Sequence, residues 1–70
     1  MQHRFKLTKP YIELSKLLKF LNLVNNGGHA KDVILDGLIY VNGNQEYRIR
    51  NKLKIWDIIR YNGHEIRILG

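Results

Sequence analysis

The spacing of apolar residues changes twice along this chain, and each change marks a different element. In Arg4-Phe5-Lys6-Leu7 polar and apolar positions alternate, which suits a short strand. From about Tyr11 the period lengthens. Leu14, Leu17, Leu18 and Leu21 recur at three- and four-residue intervals, while Glu13, Lys16 and Lys19 fall on another face. This predicts an amphipathic helix with a basic outer side, started by Thr8 and Pro10. Asn25-Asn26-Gly27-Gly28 interrupts it with residues that favour turns and left-handed backbone, after which Ala30, Val33 and Ile34 resume helical spacing. A second, shorter helix is expected there, with Asp32 near its start and Gly37 placed to close it as a left-handed cap.

Past Gly37 the pattern becomes that of strands. Leu38-Ile39-Tyr40-Val41 is rich in strand formers and ends at Asn42-Gly43. Asn62-Gly63 is the stronger turn signal. A two-residue loop there sets Tyr61 opposite His64, Arg60 opposite Glu65 and Ile59 opposite Ile66. That register pairs opposite charges on one face and gathers Ile59, Ile66 and Ile68 on the other, an arrangement that a one-residue slip would scramble. Together with the helical leucines, Ala30, Val33, Ile34, Val41, Leu53, Ile59 and Ile66 form the expected core.

Length and composition narrow the class. Seventy residues make one domain, 1–70, and a domain this small buries only about 60% of the surface that its unfolded chain exposes. With 44% hydrophobic and 26% charged residues the chain is expected to fold. It contains no cysteine, so disulfides and thiolate zinc sites cannot support the fold, and a reducing, cytoplasmic compartment is the consistent expectation. No apolar run approaches a membrane span. Twelve Lys and Arg against six Asp and Glu leave a charge of +6, which favours a polyanionic partner.

Catalysis needs convergent acids, bases or nucleophiles, and the inventory here is scattered carboxylates, three separated histidines and no thiol. His3, His29 and His64 have no partner at metal-binding spacing, so no metal and no cofactor are assigned. Glu13, Asp36 and Glu46 read as solvated charges balancing nearby lysines.

The informative segment is Arg48-Ile49-Arg50-Asn51-Lys52-Leu53-Lys54, in which four cations occupy every second position with no acid among them. If the chain is extended, Arg48, Arg50, Lys52 and Lys54 share one side, and Ile49, Leu53 and Ile55 share the other. Two residues of strand advance about 6.6 Å, comparable with successive phosphates, so the row could meet several phosphates at once. The alternative is an edge strand protected by charge against aggregation. Gly28 and Lys31 at the start of the second helix are a further candidate for anions. Lys16 and Lys19 on the first helix extend it, and Tyr47 is the one aromatic nominated to stack on a base.

In order along the chain, the leucine-rich first helix, Ala30-Lys31, Ile34, Gly37, Tyr40-Val41-Asn42-Gly43, Lys52-Leu53 and Asp57-Ile58-Ile59 resemble the small RNA-binding domain named after ribosomal small-subunit protein S-four. The likeness runs from about Ile12 to Arg60. It is nearest to the free-standing bacterial YaaA/YbcJ-like group, which shares Gly27-Gly28, Ala30-Lys31 and the basic run from Arg48 to Lys52. The resemblance implies an α+β fold, the alpha-L motif, with two N-terminal helices packed on a small, mostly antiparallel sheet. It also implies no catalysis, and a structured RNA partner, ribosomal RNA and the ribosome prominent among the family's targets.

The chain departs from the family pattern in three places. Many members begin the first helix with Arg-Leu-Asp where this chain has Glu13-Leu14-Ser15, and open the second with Ser-Arg where it has Asn26-Gly27. Binding would then fall to cations elsewhere, mainly Lys31, Arg48, Arg50 and Lys52. Trp56 stands where a glycine usually precedes Asp57, and is expected to cover the sheet.

The leading expectation is a non-catalytic, monomeric RNA-binding protein, with ribosome assembly as its expected setting and Lys16, Lys19, Gly28, Lys31, Tyr47, Arg48, Arg50, Lys52 and Lys54 at the interface. The alternative is a protein-interaction adaptor docking on acidic protein surfaces, for which an uncharged apolar patch away from Arg48 to Lys54 would speak. Binding to an anionic membrane is disfavoured, because the leucines of the first helix are needed in the core.

Overall fold

The computed structural model describes residues 1–70. Two helices, α1 (Leu14–Phe20) and α2 (Gly27–Leu35), lie among seven strands: β1 (Gln2–Lys6), β2 (Ile12–Glu13), β3 (Ile39–Val41), β4 (Asn44–Gln45), β5 (Lys52–Leu53), β6 (Ile58–Tyr61) and β7 (His64–Leu69). Five strands form one sheet in the order β1-β7-β6-β3-β4, and β2 pairs with β5 in a separate ribbon. The fold is α+β as expected, with two corrections. Two strands precede the helices, and the sheet is mixed because β1 runs parallel to β7.

The hairpin register follows from its turn chemistry. Asn62 and Gly63 take φ of 48° and 79°, the paired left-handed conformation of a two-residue hairpin loop. The partners are Tyr61 with His64, Arg60 with Glu65 and Ile59 with Ile66. Asn42 and Gly43 repeat the device, with φ of 51° and 85°, between β3 and β4. Ile39, Ile59, Ile66 and Ile68 then face the helices and are fully buried with Leu14, Leu17, Leu18 and Leu53 in one core. Leu21 and Val41, expected inside, are only partly buried against it, whereas Leu7, Val24 and Ile39 are core residues that the expected set lacked.

The first helix is shorter than its leucine spacing suggests. At its front Ile12 and Glu13 pair with Leu53 and Lys52, so the chain is extended where Thr8 and Pro10 were expected to have started a helix. At its back Asn22 adopts φ 57°. Its N–H donates to Lys19 O and that of Leu23 to Leu18 O, closing α1 before the Asn25-Asn26-Gly27-Gly28 break. The second helix ends the same way on Gly37, whose N–H donates to Ile34 O while that of Leu38 donates to Val33 O. Gly37 has φ +76°, and a Cβ there would lie 2.5 Å from the Gln45 amide and 3.2 Å from the Tyr47 hydroxyl.

The segment from Glu46 to Lys54 is the main departure from expectation. Only Lys52–Leu53 is strand; Arg48 to Asn51 form a turn closed by Asn51 N–H to Arg48 O. The turn lies on the start of α1, where Leu14 N–H donates to Asn51 O at 2.9 Å and Ser15 N–H to Ile49 O at 3.1 Å. These bonds stand in for a capping side chain, since Glu13 provides none. Side chains still alternate, with Arg48, Arg50, Lys52 and Lys54 exposed, Ile49 half-buried and Leu53 buried. Ile55 breaks the alternation, being exposed rather than turned inward.

Glu46 fastens the turn. Its carboxylate accepts from the backbone N–H groups of Tyr47 and Arg48, from the Arg48 guanidinium and from Asn51 Nδ2, all within 3.1 Å. With its side chain only 13% exposed, it is not the solvated surface charge expected. The Arg48 side-chain bond, aided by the two backbone donors, holds its carboxyl below the ordinary value of 4.5 against the opposing effect of burial.

Trp56 also corrects its expectation. It is 79% exposed and does not cover the sheet.

Gly37→Ala forces a side chain into left-handed backbone and into Gln45 and Tyr47, and should lower stability by about 1–3 kcal/mol in urea unfolding. Because the Glu46 carboxyl is depressed in the folded state, its contribution is complete above the ordinary value and is lost as pH falls through the folded one. Glu46→Gln should therefore cost about 1 kcal/mol at neutral pH and flatten the stability change between roughly pH 5 and pH 3. It should also speed amide exchange at Leu14 and Ser15.

Candidate nucleic-acid interface

Two helix ends and one turn bring most of the nominated residues together. The turn on α1 carries Arg50 and leads to Lys52, which lies opposite Glu13 in the β2–β5 ribbon. Lys16 stands one helical turn on and meets Glu13 at 3.9 Å, a loose and exposed pair. Lys52 also sits over the Tyr11 ring, 5.0 Å from its centre. Lys19 follows Lys16 by three residues along the same side of α1. Its ammonium approaches the start of α2, lying 3.8 Å from where a Gly27 Cβ would be.

The start of α2 is capped from within. The Asn26 side chain accepts from His29 N–H, and His29 Nδ1 accepts from Asn25 N–H. Gly27 and Gly28 are exposed there, with Lys31 one turn further along. Neighbour by neighbour, Arg50, Lys52, Lys16, Lys19, Gly28 and Lys31 thus run from the turn along α1 to the start of α2.

Ion pairing sorts the cations. Lys19, Lys31, Arg50, Lys52 and Lys54 form no salt bridge. The Arg48 guanidinium is instead engaged by both oxygens of Glu46 at 3.0 Å. On the far hairpin Glu65 binds Arg60 and Arg67, each at 3.1 Å, and these two arginines hold its carboxyl below the ordinary range. Hence three of the five arginines carry charges already matched by acids, Arg50 and Arg4 excepted.

Two nominated residues lie apart. The Tyr47 hydroxyl packs toward Gly37 at the C-terminal end of α2, about 13 Å along the axis from Gly28. Lys54 opens a turn fastened to the end of β7, where Trp56 N–H donates to Ile68 O. The histidines are less separate than their spacing suggests. Parallel pairing of β1 with β7 brings His3 Nε2 to 3.1 Å from His64 Nδ1, a contact between residues 61 apart that no local pattern could reveal.

The comparisons with known proteins agree with this architecture. The S4 domain family profile matches residues 5–69. "Putative RNA-binding protein YbcJ" of Escherichia coli K12 is 33% identical over 67 residues, covering 94% of this chain and 96% of the relative. "Uncharacterized protein YbcJ" of Shigella flexneri matches to the same extent, 33% over 67 residues. The solution structure of E. coli YbcJ, described as revealing an alpha-L motif involved in RNA-binding, superposes with a TM-score of 0.74 at 32% identity. That match covers 96% of this chain and 86% of the other. The chain belongs to the S4 domain family.

Proposed function

We propose that this protein binds structured RNA without catalysing a reaction, using the alpha-L arrangement of its helices to hold Arg50, Lys52, Lys16, Lys19, Gly28 and Lys31 against the sugar-phosphate backbone. The observation that carries the reading is the sorting of charge. Apart from Arg48, which Glu46 holds, cations along α1 and its attached turn are left unpaired or loosely paired, whereas Arg60 and Arg67 on the far hairpin are matched by Glu65. Arg50 offers forked donors suited to phosphate oxygens, and the lysines act as point charges beside it. Arg48 contributes less than its position suggests, because Glu46 already holds its guanidinium. Ribosomal RNA, in ribosome assembly, is the target class that the family resemblance favours.

The adaptor reading has one observation in its support. Met1, Leu38 and Tyr40 are exposed and line a cleft of about 510 Å³ beside the β6–β7 hairpin, away from the basic run, but Arg60, His64 and Glu65 line it as well, so it is not an uncharged apolar patch. A protein partner seated there would be lost on Leu38→Asp, a change that leaves the RNA surface intact.

If four to six phosphates are neutralised, log affinity for a folded RNA should fall against log salt with a slope of about −0.7 to −0.9 per contact. Arg50→Ala should flatten the slope by about one unit and weaken different RNAs alike, and Arg48→Ala should move it less. Unchanged affinity and slope in a Lys16, Arg50 and Lys52 triple alanine variant, measured by filter binding across a salt series, would overturn the reading.

A further inference from the structure

Trp56 combines two features that are unfavourable for a bulky aromatic residue. It takes φ +80° at the third position of the turn Lys54 to Asp57, closed by Asp57 N–H to Lys54 O at 3.1 Å. That position normally calls for glycine, and a bulky aromatic residue is strained there. The residue is also 79% exposed, so the strain gains no burial in return.

The backbone around it is over-determined. Asp57 accepts from Lys54 N–H at 2.8 Å and from Asn42 Nδ2 at 3.0 Å, and Asn42 Oδ1 accepts from Ile58 N–H at 2.9 Å. Trp56 N–H donates to Ile68 O at 2.8 Å, and Ile68 N–H donates to Asp57 O at 3.0 Å. None of these bonds involves the indole. The network therefore fixes the strained backbone from which a large flat ring projects into solvent, the kind of stored strain that accompanies function.

We infer that Trp56 is a stacking platform for an unpaired nucleobase of the bound RNA, an inference that rests on the RNA-binding reading above. Two features select that ligand. The indole offers an exposed flat π-face, and its turn begins with Lys54, an exposed cation with no carboxylate partner. The acid in the turn, Asp57, is occupied by Asn42 and the Lys54 backbone, so it does not offset the lysine from a free position. A π-face beside an unmatched cation suits a base with its neighbouring phosphate. The aromatic contact thus belongs to Trp56 rather than Tyr47, whose hydroxyl is turned toward Gly37.

Trp56 is the chain's single tryptophan, so its fluorescence reports on this site alone. A hairpin RNA with an unpaired loop should quench its emission, and a fully paired duplex of equal length should quench it far less. Trp56→Gly should bind the hairpin about 5- to 100-fold more weakly with an unchanged salt slope, since stacking releases no counterions. Trp56→Phe should recover part of that loss. Thermal stability of Trp56→Gly should equal or exceed that of the parent, because glycine adopts this backbone freely.

Equal hairpin affinity of parent and Trp56→Gly would overturn the stacking inference and leave RNA binding standing. Lower thermal stability of the glycine variant would overturn it in favour of a structural role. Failure of the parent to bind any RNA would overturn both readings. A blue shift with anionic vesicles, without quenching by RNA, would assign the indole to a lipid surface instead and overturn the inference.

Discussion

The proposed interface depends on one junction, the bonds from the first two amides of α1 to the carbonyls of Ile49 and Asn51. A seven-residue helix has little stability of its own and no capping side chain here. The turn after Glu46 satisfies those amides, and the same geometry sets Arg50 and Lys52 at the start of the helix that carries Lys16. Local capping and the gathering of charge are therefore one structural event. Glu46 secures it from behind by occupying Arg48 and two backbone donors, which explains why an acid sits at the edge of a basic run.

Charge placement separates the two halves of the surface. Net charge alone does not distinguish a binding face from a soluble surface, and exposed ion pairs contribute little stability. What differs is which cations have partners. Glu65 is shared by two arginines on the hairpin, whereas the lysines of the helices stand free or loosely paired. A polyanion approaching the helices meets mostly unmatched charge; one approaching the hairpin meets Arg60 and Arg67 already paired, with Arg4 on the neighbouring strand as the free arginine there.

Legibility in the sequence followed the range of the interactions. Asn62-Gly63 specified its hairpin to the residue, because the turn type, the charge pair and the isoleucine face all demanded one register. Gly37 was legible as a cap for the same local reason. The start of α1 was not, since Ile12 and Glu13 are drawn into a ribbon by residues 40 positions away, and its end was set by Asn22, a weaker stop signal than the glycines beyond. Nor was the parallel pairing of β1 with β7, which joins the two ends of the chain and creates the His3–His64 contact. The alternation of cations from Arg48 to Lys54 was readable as exposure but not as a strand, because its pairing ends at Lys52 and a turn takes over. The exposure of Trp56 followed from a fastening network no sequence period encodes.

Amide shift mapping during titration with a folded RNA tests the central claim most directly. Perturbations should concentrate on Lys16, Lys19, Gly28, Lys31, Arg50 and Lys52, with a separate one at Trp56, and leave the hairpin turn around Arg60 and Glu65 unmoved. Perturbations centred on that hairpin, or spread evenly over the surface, would contradict it.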